Sequence, residues 1–535
     1  MNSETPERIA VVGFGPVAAR FIDELLPTVR SGHIQLTVIG AEAVPAYNRV
    51  LVADLGVGRT TPEAIELADA DDLRAEGVKV LLGRTARRID RPRQMLELDD
   101  GTREPYDRLV LATGAGAIVP TLTGLNPDPA AIHLLPPGVT ALRDLGDAAR
   151  LRHTVDRGGH VIVLGGGILG IEAALAAAEE GACVTVVHNG DRPLARNLDR
   201  GGGRTLARAL RSAGIDLVSG ARSTGVCFAP QAGRHHFNAL ELADGRRISG
   251  DLLLLSCGVR PRTGLAAGSG LPVGRGIVVN HRLEADTDGT IFAIGDCAEV
   301  HCGDPACRDC ADPGARPAGL IGPGWRQAEW LAHHLVRQAG PLGASAPMPD
   351  LAAEKPAVML LKARNVDMAS AGTIDAELWD DDEVVPCTAG RGGTTAPRQV
   401  AQWADPEHGR YVKMVTRGGV LEGLVCVGMP RTAAELVLLY ERGSELPADR
   451  TALFRLDAVE QLPGLSGPAD PASPLCRCTG ATHGQVREAV AGGCHSVGAI
   501  SDATRAGTGC GGCRSRIAEL IESHLQSAGA GTGTS

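Results

Sequence analysis

Two close cysteine pairs near the end of the sequence have the residue types and spacing best suited to chemistry. Cys476-Arg477-Cys478 is followed after 31 residues by Cys510-Gly511-Gly512-Cys513. Four thiolates in two pairs are the ligand set of a [2Fe-2S] cluster, and a tetrahedral zinc ion also takes four. A second group, His301, Cys302, Cys307 and Cys310, lies in a Pro/Gly-rich loop. It could hold zinc or a second cluster, and Cys307 and Cys310 could equally be idle thiols. Cys494 reads as a buried or free thiol. Cys183, Cys227, Cys257, Cys297, Cys387 and Cys426 sit in apolar strands or alone and read as core.

Two glycine turns form the second constellation. Gly13, Gly15 and Ala18 follow the apolar run IAVV, and Gly165, Gly167 and Gly170 follow HVIVL. In such a turn the first glycine permits the bend and the second lets backbone approach a diphosphate. The third position must be small where helix packs on strand, and the helix N-terminus faces the phosphates. An acidic residue usually ends the second strand to hold a ribose. Glu42 stands one position late for that contact in the first unit, and the second unit has His188 instead. Arg192 lies too far along to clamp a 2′-phosphate, which leans the reading toward NADH over NADPH.

These residues need strands and helices to position them. Residues 8–40 and 160–188 each read as a complete β-α-β unit, so two dinucleotide-binding folds are expected in one chain. YDRLVLATGAGAIVP at 106–120 and TIFAIGDCAEV at 290–300 read as strands entering glycine turns. RYVKMVTRGGVLEGLVCVG at 410–428 reads as a hairpin across Gly418-Gly419. Residues 462–474, dense in Pro, Gly and Ser, read as a linker, and 526–535 as a disordered tail. The N-terminus lacks the pattern of a secretory signal, and no run of 18 apolar residues occurs. A net charge of −10 without a basic tract argues against a nucleic-acid partner. A cytoplasmic protein with no membrane partner is expected.

The order of these segments from about residue 8 to 335 resembles the two-dinucleotide-fold flavoprotein superfamily. The resemblance implies FAD on the first fold and NAD(P)H on the second. It implies that Thr113, Gly114, Gly295 and Asp296 close on FAD, the aspartate accepting from the ribityl chain. Gly258 to Pro261 would join the second fold back to the first. For Asp296 the plain alternative is a helix cap. Disulfide reductases of the superfamily carry a redox cysteine after their first unit, but no cysteine precedes Cys183 here, so thiol-disulfide activity is not expected. Ala46-Tyr47-Asn48-Arg49-Val50 occupies that region and resembles the A-Y-D-R-V segment of NADH nitrite reductase large subunits. Tyr47 and Arg49 would then line the flavin, or else serve a surface helix. The stretch 475–523 resembles the bacterioferritin-associated-ferredoxin type of [2Fe-2S] domain.

The fold class expected is α/β, two Rossmann-like folds of the glutathione-reductase type, with a small α+β domain and a helical C-terminal [2Fe-2S] domain. FAD binding is assigned to 1–120 and 251–335, and NAD(P)H binding to 121–250. The domain at 345–450 resembles the rubredoxin-reductase C-terminal type. Candidate FAD residues are Gly13, Gly15, Ala18, Glu42, Arg49, Thr113, Gly114, Gly295 and Asp296. Candidate NAD(P)H residues are Gly165, Gly167, Gly170, Glu172, His188 and Gly258. Cys476, Cys478, Cys510 and Cys513 are the cluster ligands.

A nicotinamide delivers a hydride and a [2Fe-2S] cluster takes one electron at a time, so a flavin between them is the expected converter. No side chain need act as an acid or base. LKARNVDMASAGTI at 361–374 extends the resemblance to nitrite reductase large subunits and to electron-transfer subunits of assimilatory nitrate reductases. The sequence ends soon after the cysteines, without room for a siroheme module, so a separate reductase subunit is the expected acceptor. A rubredoxin, ferredoxin or monooxygenase acceptor, a redox-sensing role, or a zinc docking domain are the alternatives. A homodimer is compatible with all of them.

Overall fold

In a computed structural model, residues 6–125, 135–231, 234–301, 319–339, 349–351, 358–363, 366–378, 397–457, 471–476, 478–509 and 511–530 are described. The first sheet has five strands in the order Ile291–Ala293, Arg108–Leu111, Glu7–Val12, Ile34–Gly40, Lys79–Leu82, all parallel. Helices cover parallel sheets on both faces, which is why these strands read as unbroken apolar runs rather than alternating ones. Ile9, Val11, Leu36, Val38, Leu109 and Val110 are almost wholly buried. The helix Pro16–Arg30 starts with proline in its first turn, where the missing N–H costs nothing, and buries Ala18, Phe21, Ile22 and Leu25.

The second sheet repeats the plan in the order Ile215–Val218, Cys183–Val187, His160–Leu164, Leu252–Leu255, Val139–Thr140, again parallel. Leu252–Leu255 therefore belongs to this sheet, and the return to the first fold falls after Leu255 rather than at 251. The reason is burial: four consecutive leucines, each at most 2 % exposed, need cover on both faces and find it beside His160–Leu164. An antiparallel ribbon of Ala115–Ala117 with Val259–Pro261 carries the chain between the folds.

Five strands in the order Met359–Ala363, Val366–Gly372, Val420–Val427, Arg410–Arg417, Arg398–Asp405 form the third sheet, against which the helix Pro430–Arg442 packs. Its central hairpin turns at Gly418 (φ +56°) and Gly419 (φ +83°), the two positive φ values that a tight twisted hairpin requires. Buried Lys413 and Tyr411 reach from this sheet to Asp199, the cap of the second fold's helix Arg200–Ser212. Helices His483–Ala491, Val497–Thr504 and Arg514–Ala530 build the C-terminal unit around Val486, Val490, Ile500 and Ile517. The last helix runs through Ala530, so residues 526–530 are helical where a disordered tail was expected. Alanines at 528 and 530 favour its extension. The expected linker lies outside the described residues except for 471–474. Among the described residues, no helix is long and apolar enough to cross a membrane.

Candidate functional site

The two glycine turns have the same geometry. Gly13 (φ +106°) lies against the chain leaving the next strand, where a Cβ would stand 2.2 Å from the Ala112 carbonyl oxygen. Gly165 (φ +125°) repeats this with 2.1 Å to the Ser256 oxygen. Both turns sit where the strand order reverses, the crevice in which open α/β sheets bind ligands. Gly170 packs the helix on the strand end, since a Cβ there would come within 2.8 Å of Gly165 O. Ala18, wholly buried, does the same in the first unit.

Gly15 and Gly167 differ from these. Both have ordinary extended backbone, φ −105° and −82°. A Cβ on Gly15 would touch nothing closer than Arg49 Nε at 3.8 Å, and one on Gly167 nothing within 4 Å. The protein fold does not require glycine at either place. Each glycine caps a helix with no side-chain cap and no acid in its first turn, so the helix's first backbone N–H groups meet no side-chain acceptor there, which suits them to an anionic diphosphate.

One large cleft, about 2940 Å³, brings together Gly13, Gly15, Ala18, Glu42, Arg49, Thr113, Gly114, Gly258, Gly295 and Asp296. It reaches the first two turns of the second fold's helix at Ile168, Leu169 and Glu172, while Gly165, Gly167, Gly170 and His188 lie outside its wall. Glu42 accepts from Arg49 and, at 2.8 Å, from the Tyr47 hydroxyl, and the Arg49 guanidinium stacks over the Tyr47 ring. Thr113 Oγ1 donates to Arg262 O, and the Gly295 N–H donates to Gln327 Oε1 at 2.7 Å. Burial raises the Asp296 carboxyl, against the pull of Arg143 and Arg49. Burial lowers Arg143 and Arg262, and Arg49 adds repulsion to both. Three guanidiniums crowded in one cleft suit a polyanionic ligand. Arg143 and Arg262 escaped the sequence reading because each lies in a loop far from the glycine motifs, although Arg262 directly follows the Gly258–Pro261 segment.

The same cleft is lined at its other end by Cys476, Cys478 and Cys513. Cys510 lies outside the described residues. The Cys476 thiol is lowered to about 5, chiefly by a hydrogen bond involving Cys513, so the thiolate that a metal takes is favoured. Among the described residues no three His, Cys, Asp or Glu side chains converge as for a single ion. A two-iron cluster takes two thiolates at each iron and does not need such convergence.

His301 is exposed, while Cys302, Cys307 and Cys310 lie outside the described residues, as does Cys387. Cys297 and Cys426 are core, but Cys183 is exposed at the first position of its strand, ahead of the four continuously buried residues that follow. Cys227 and Cys257 are half-buried, and Cys494 is a half-buried free thiol. His188 is buried over Gly166, its Nε2 3.0 Å from Ser219 Oγ, and burial lowers its pKa. Arg192 is held by Asp191 and the Leu198 carbonyl.

Comparison with known proteins gives this geometry a family. The model described as pyridine nucleotide-disulphide oxidoreductase matches residues 7–317, and that described as a BFD-like [2Fe-2S] binding domain matches 474–523. The chain is 28% identical over 525 residues to a nitrite reductase [NAD(P)H] of Bacillus subtilis (strain 168), covering 97% of this chain and 58% of the relative. It is 26% identical over 522 residues to the assimilatory nitrate reductase electron transfer subunit of the same organism, covering 96% and 59%. It thus spans somewhat over half the length of these relatives. Among solved structures, a covalent putidaredoxin reductase–putidaredoxin complex superposes with TM-score 0.65 at 22% identity, over 85% of this chain and 100% of that one, a likeness of fold. With the family model spanning more than half of the sequence, the chain belongs to the pyridine nucleotide-disulphide oxidoreductases, and is an NAD(P)H-dependent flavoprotein oxidoreductase with a [2Fe-2S] domain.

Proposed function

We propose that this chain oxidises NADH and passes single electrons through its cluster to a separate catalytic partner, a nitrate or nitrite reductase of assimilation being the first candidate. The observation that carries the reading is the continuity of one cleft from the first glycine turn to Cys476, Cys478 and Cys513. The likeness to an assimilatory nitrate reductase electron transfer subunit supports the choice of partner. A cytoplasmic site of action fits this reading.

Bound FAD would supply the conversion between two-electron and one-electron transfer. The helix N-termini behind Gly15 and Gly167 would hold the FAD and NADH diphosphates. Glu42, which accepts from Arg49, would also accept from the adenosine ribose, and Ala18 would keep the helix close. Thr113, Gly114 and Gly295 would close on the cofactor by backbone, and Asp296 would accept from the ribityl chain. In the second fold Gly165 and Gly170 would shape the turn, and Glu172 and Gly258 would flank the nicotinamide. His188, buried and lowered toward the neutral form, offers no cation to a 2′-phosphate, and Arg192 is engaged elsewhere, which favours NADH. Cys476, Cys478, Cys510 and Cys513 would ligate the irons.

The test is a visible spectrum of anaerobically purified protein, with flavin and iron quantified, before and after NADH. Flavin bands and about two irons per chain, both bleached by NADH, are expected. A cluster that NADH never reduces would overturn the in-series reading. Mixing the reduced protein with purified nitrate reductase, rubredoxin or ferredoxin then ranks the acceptors.

A further inference from the structure

Asn48 is 1 % exposed, and all its polar groups are engaged. Its Oδ1 accepts from Val50 N at 3.0 Å and caps the short helical turn Arg49–Leu51, and its backbone N–H donates to Ile65 O at 2.7 Å. Its Nδ2 donates at 2.6 Å to each of two carbonyls, those of Thr508 and Gly509, some 460 residues away in the cluster loop. Gly509 is pinned from the other side. A Cβ there would stand 2.5 Å from Cys478 Cβ and 3.4 Å from the Trp325 ring, and Trp325 Nε1 donates to Pro16 O, at the first turn of the helix behind Gly15. At the rim, Arg505 faces Glu24 of that helix at 3.7 Å.

We propose that the Asn48 carboxamide is the positioning group that fixes the cluster loop to the flavin fold and so sets the geometry of electron transfer between them. The inference rests on the in-series reading above. Each crossing takes one electron from reduced flavin and converts one ferric iron to ferrous, with NADH replenishing the donor two electrons at a time and released protons going to solvent. Two carbonyl oxygens need two N–H donors, and a side chain that also caps Arg49–Leu51 must carry an acceptor. Asparagine supplies both at this length. Since burial makes an unpaired carbonyl costly, losing the donors opens the seam rather than leaving it dry.

Asn48→Asp keeps the capping oxygen and removes both donors once ionised. Asn48→Ala removes cap and donors together. NADH would be mixed with holoprotein in a stopped-flow instrument, following flavin bleaching and then the cluster signal by rapid-freeze EPR. Hydrogen exchange of the amides around 505–513 would be measured in parallel. For Asn48→Asp near pH 8.5, we expect cluster reduction slowed by about tenfold or more, flavin bleaching within about twofold of wild type, and faster exchange in the loop. Two facing carbonyls raise the introduced carboxyl, and its neutral form regains an O–H donor, so the defect should shrink as pH falls. In Asn48→Ala the defect should be insensitive to pH. Cluster reduction and loop exchange like wild type in both variants, or identical pH profiles, would overturn the proposal. A wild-type cluster that NADH never reduces would instead overturn the in-series reading, and the exchange experiment would still judge the seam.

Discussion

Gly167→Ala separates what the fold needs from what a ligand needs. At Gly165 the fold alone forbids a side chain: the backbone has φ +125° and a Cβ would collide with Ser256 O at 2.1 Å, so alanine there costs about 1–3 kcal/mol in strain. At Gly167 the backbone (φ −82°, ψ 170°) accepts any residue and a Cβ meets nothing. The remaining structural cost is alanine's poorer helix capping, below about 1 kcal/mol, a drop of about 2–4 °C in the melting of a domain this size. The new methyl would project where a diphosphate oxygen must approach the helix N–H groups. Losing one hydrogen bond to a charged group removes about 1.5–3 kcal/mol, or about ten- to hundredfold in NADH affinity. The assay is the NADH dependence of flavin bleaching in stopped flow, with flavin content and thermal melting on the same sample. Flavin content should be unchanged, because Gly167 lies on the second fold. An NADH dependence like wild type would refute the assignment of this helix N-terminus, and a fall of more than about 8 °C in melting would refute the claim that the fold tolerates a side chain there.

Other consequences are equally direct. Asp199→Ala leaves Lys413, wholly buried, without its carboxylate and removes the acceptor of the Tyr411 hydroxyl at 2.5 Å, so urea unfolding should show a loss of about 3–5 kcal/mol, and retention of wild-type stability would refute the pairing. Burial raises the Asp23 carboxyl to about 6, above its unfolded value, so the native state holds the proton longer and stability falls as pH rises from about 4 through about 6. Asn in its place should remove that slope and stabilise the protein by up to about 2 kcal/mol at pH 8; a slope unchanged in Asp23→Asn would assign it elsewhere. Cys476→Ser should lower iron content and abolish the NADH-induced cluster signal while flavin bleaching persists; a full cluster would remove Cys476 from the ligand set.

Much of the architecture was legible because its signals are local. The glycine turns, the strands before them and the Gly418-Gly419 hairpin all report backbone conformation over a few residues, and the sheets follow from them. The limits were also local. Four leucines at 252–255 look alike whichever sheet they join, and only pairing with His160–Leu164 decides. Cys183 looked like core because the strand is apolar, yet its first position stands clear of the packing.

For the site, the sequence determined which residues have the chemistry: thiolates in two close pairs, glycines ahead of helix N-termini, an aspartate after a glycine. It could not show that a single cleft runs from Gly13 to Cys476, that Arg143 and Arg262 enter it beside Arg49, or that Asn48 holds the loop of Thr508 and Gly509. Those contacts join positions far apart in the chain, and no periodicity records them. They arise only when separate cores pack together and buried donors must find acceptors, a constraint that acts in three dimensions and leaves no spacing in one.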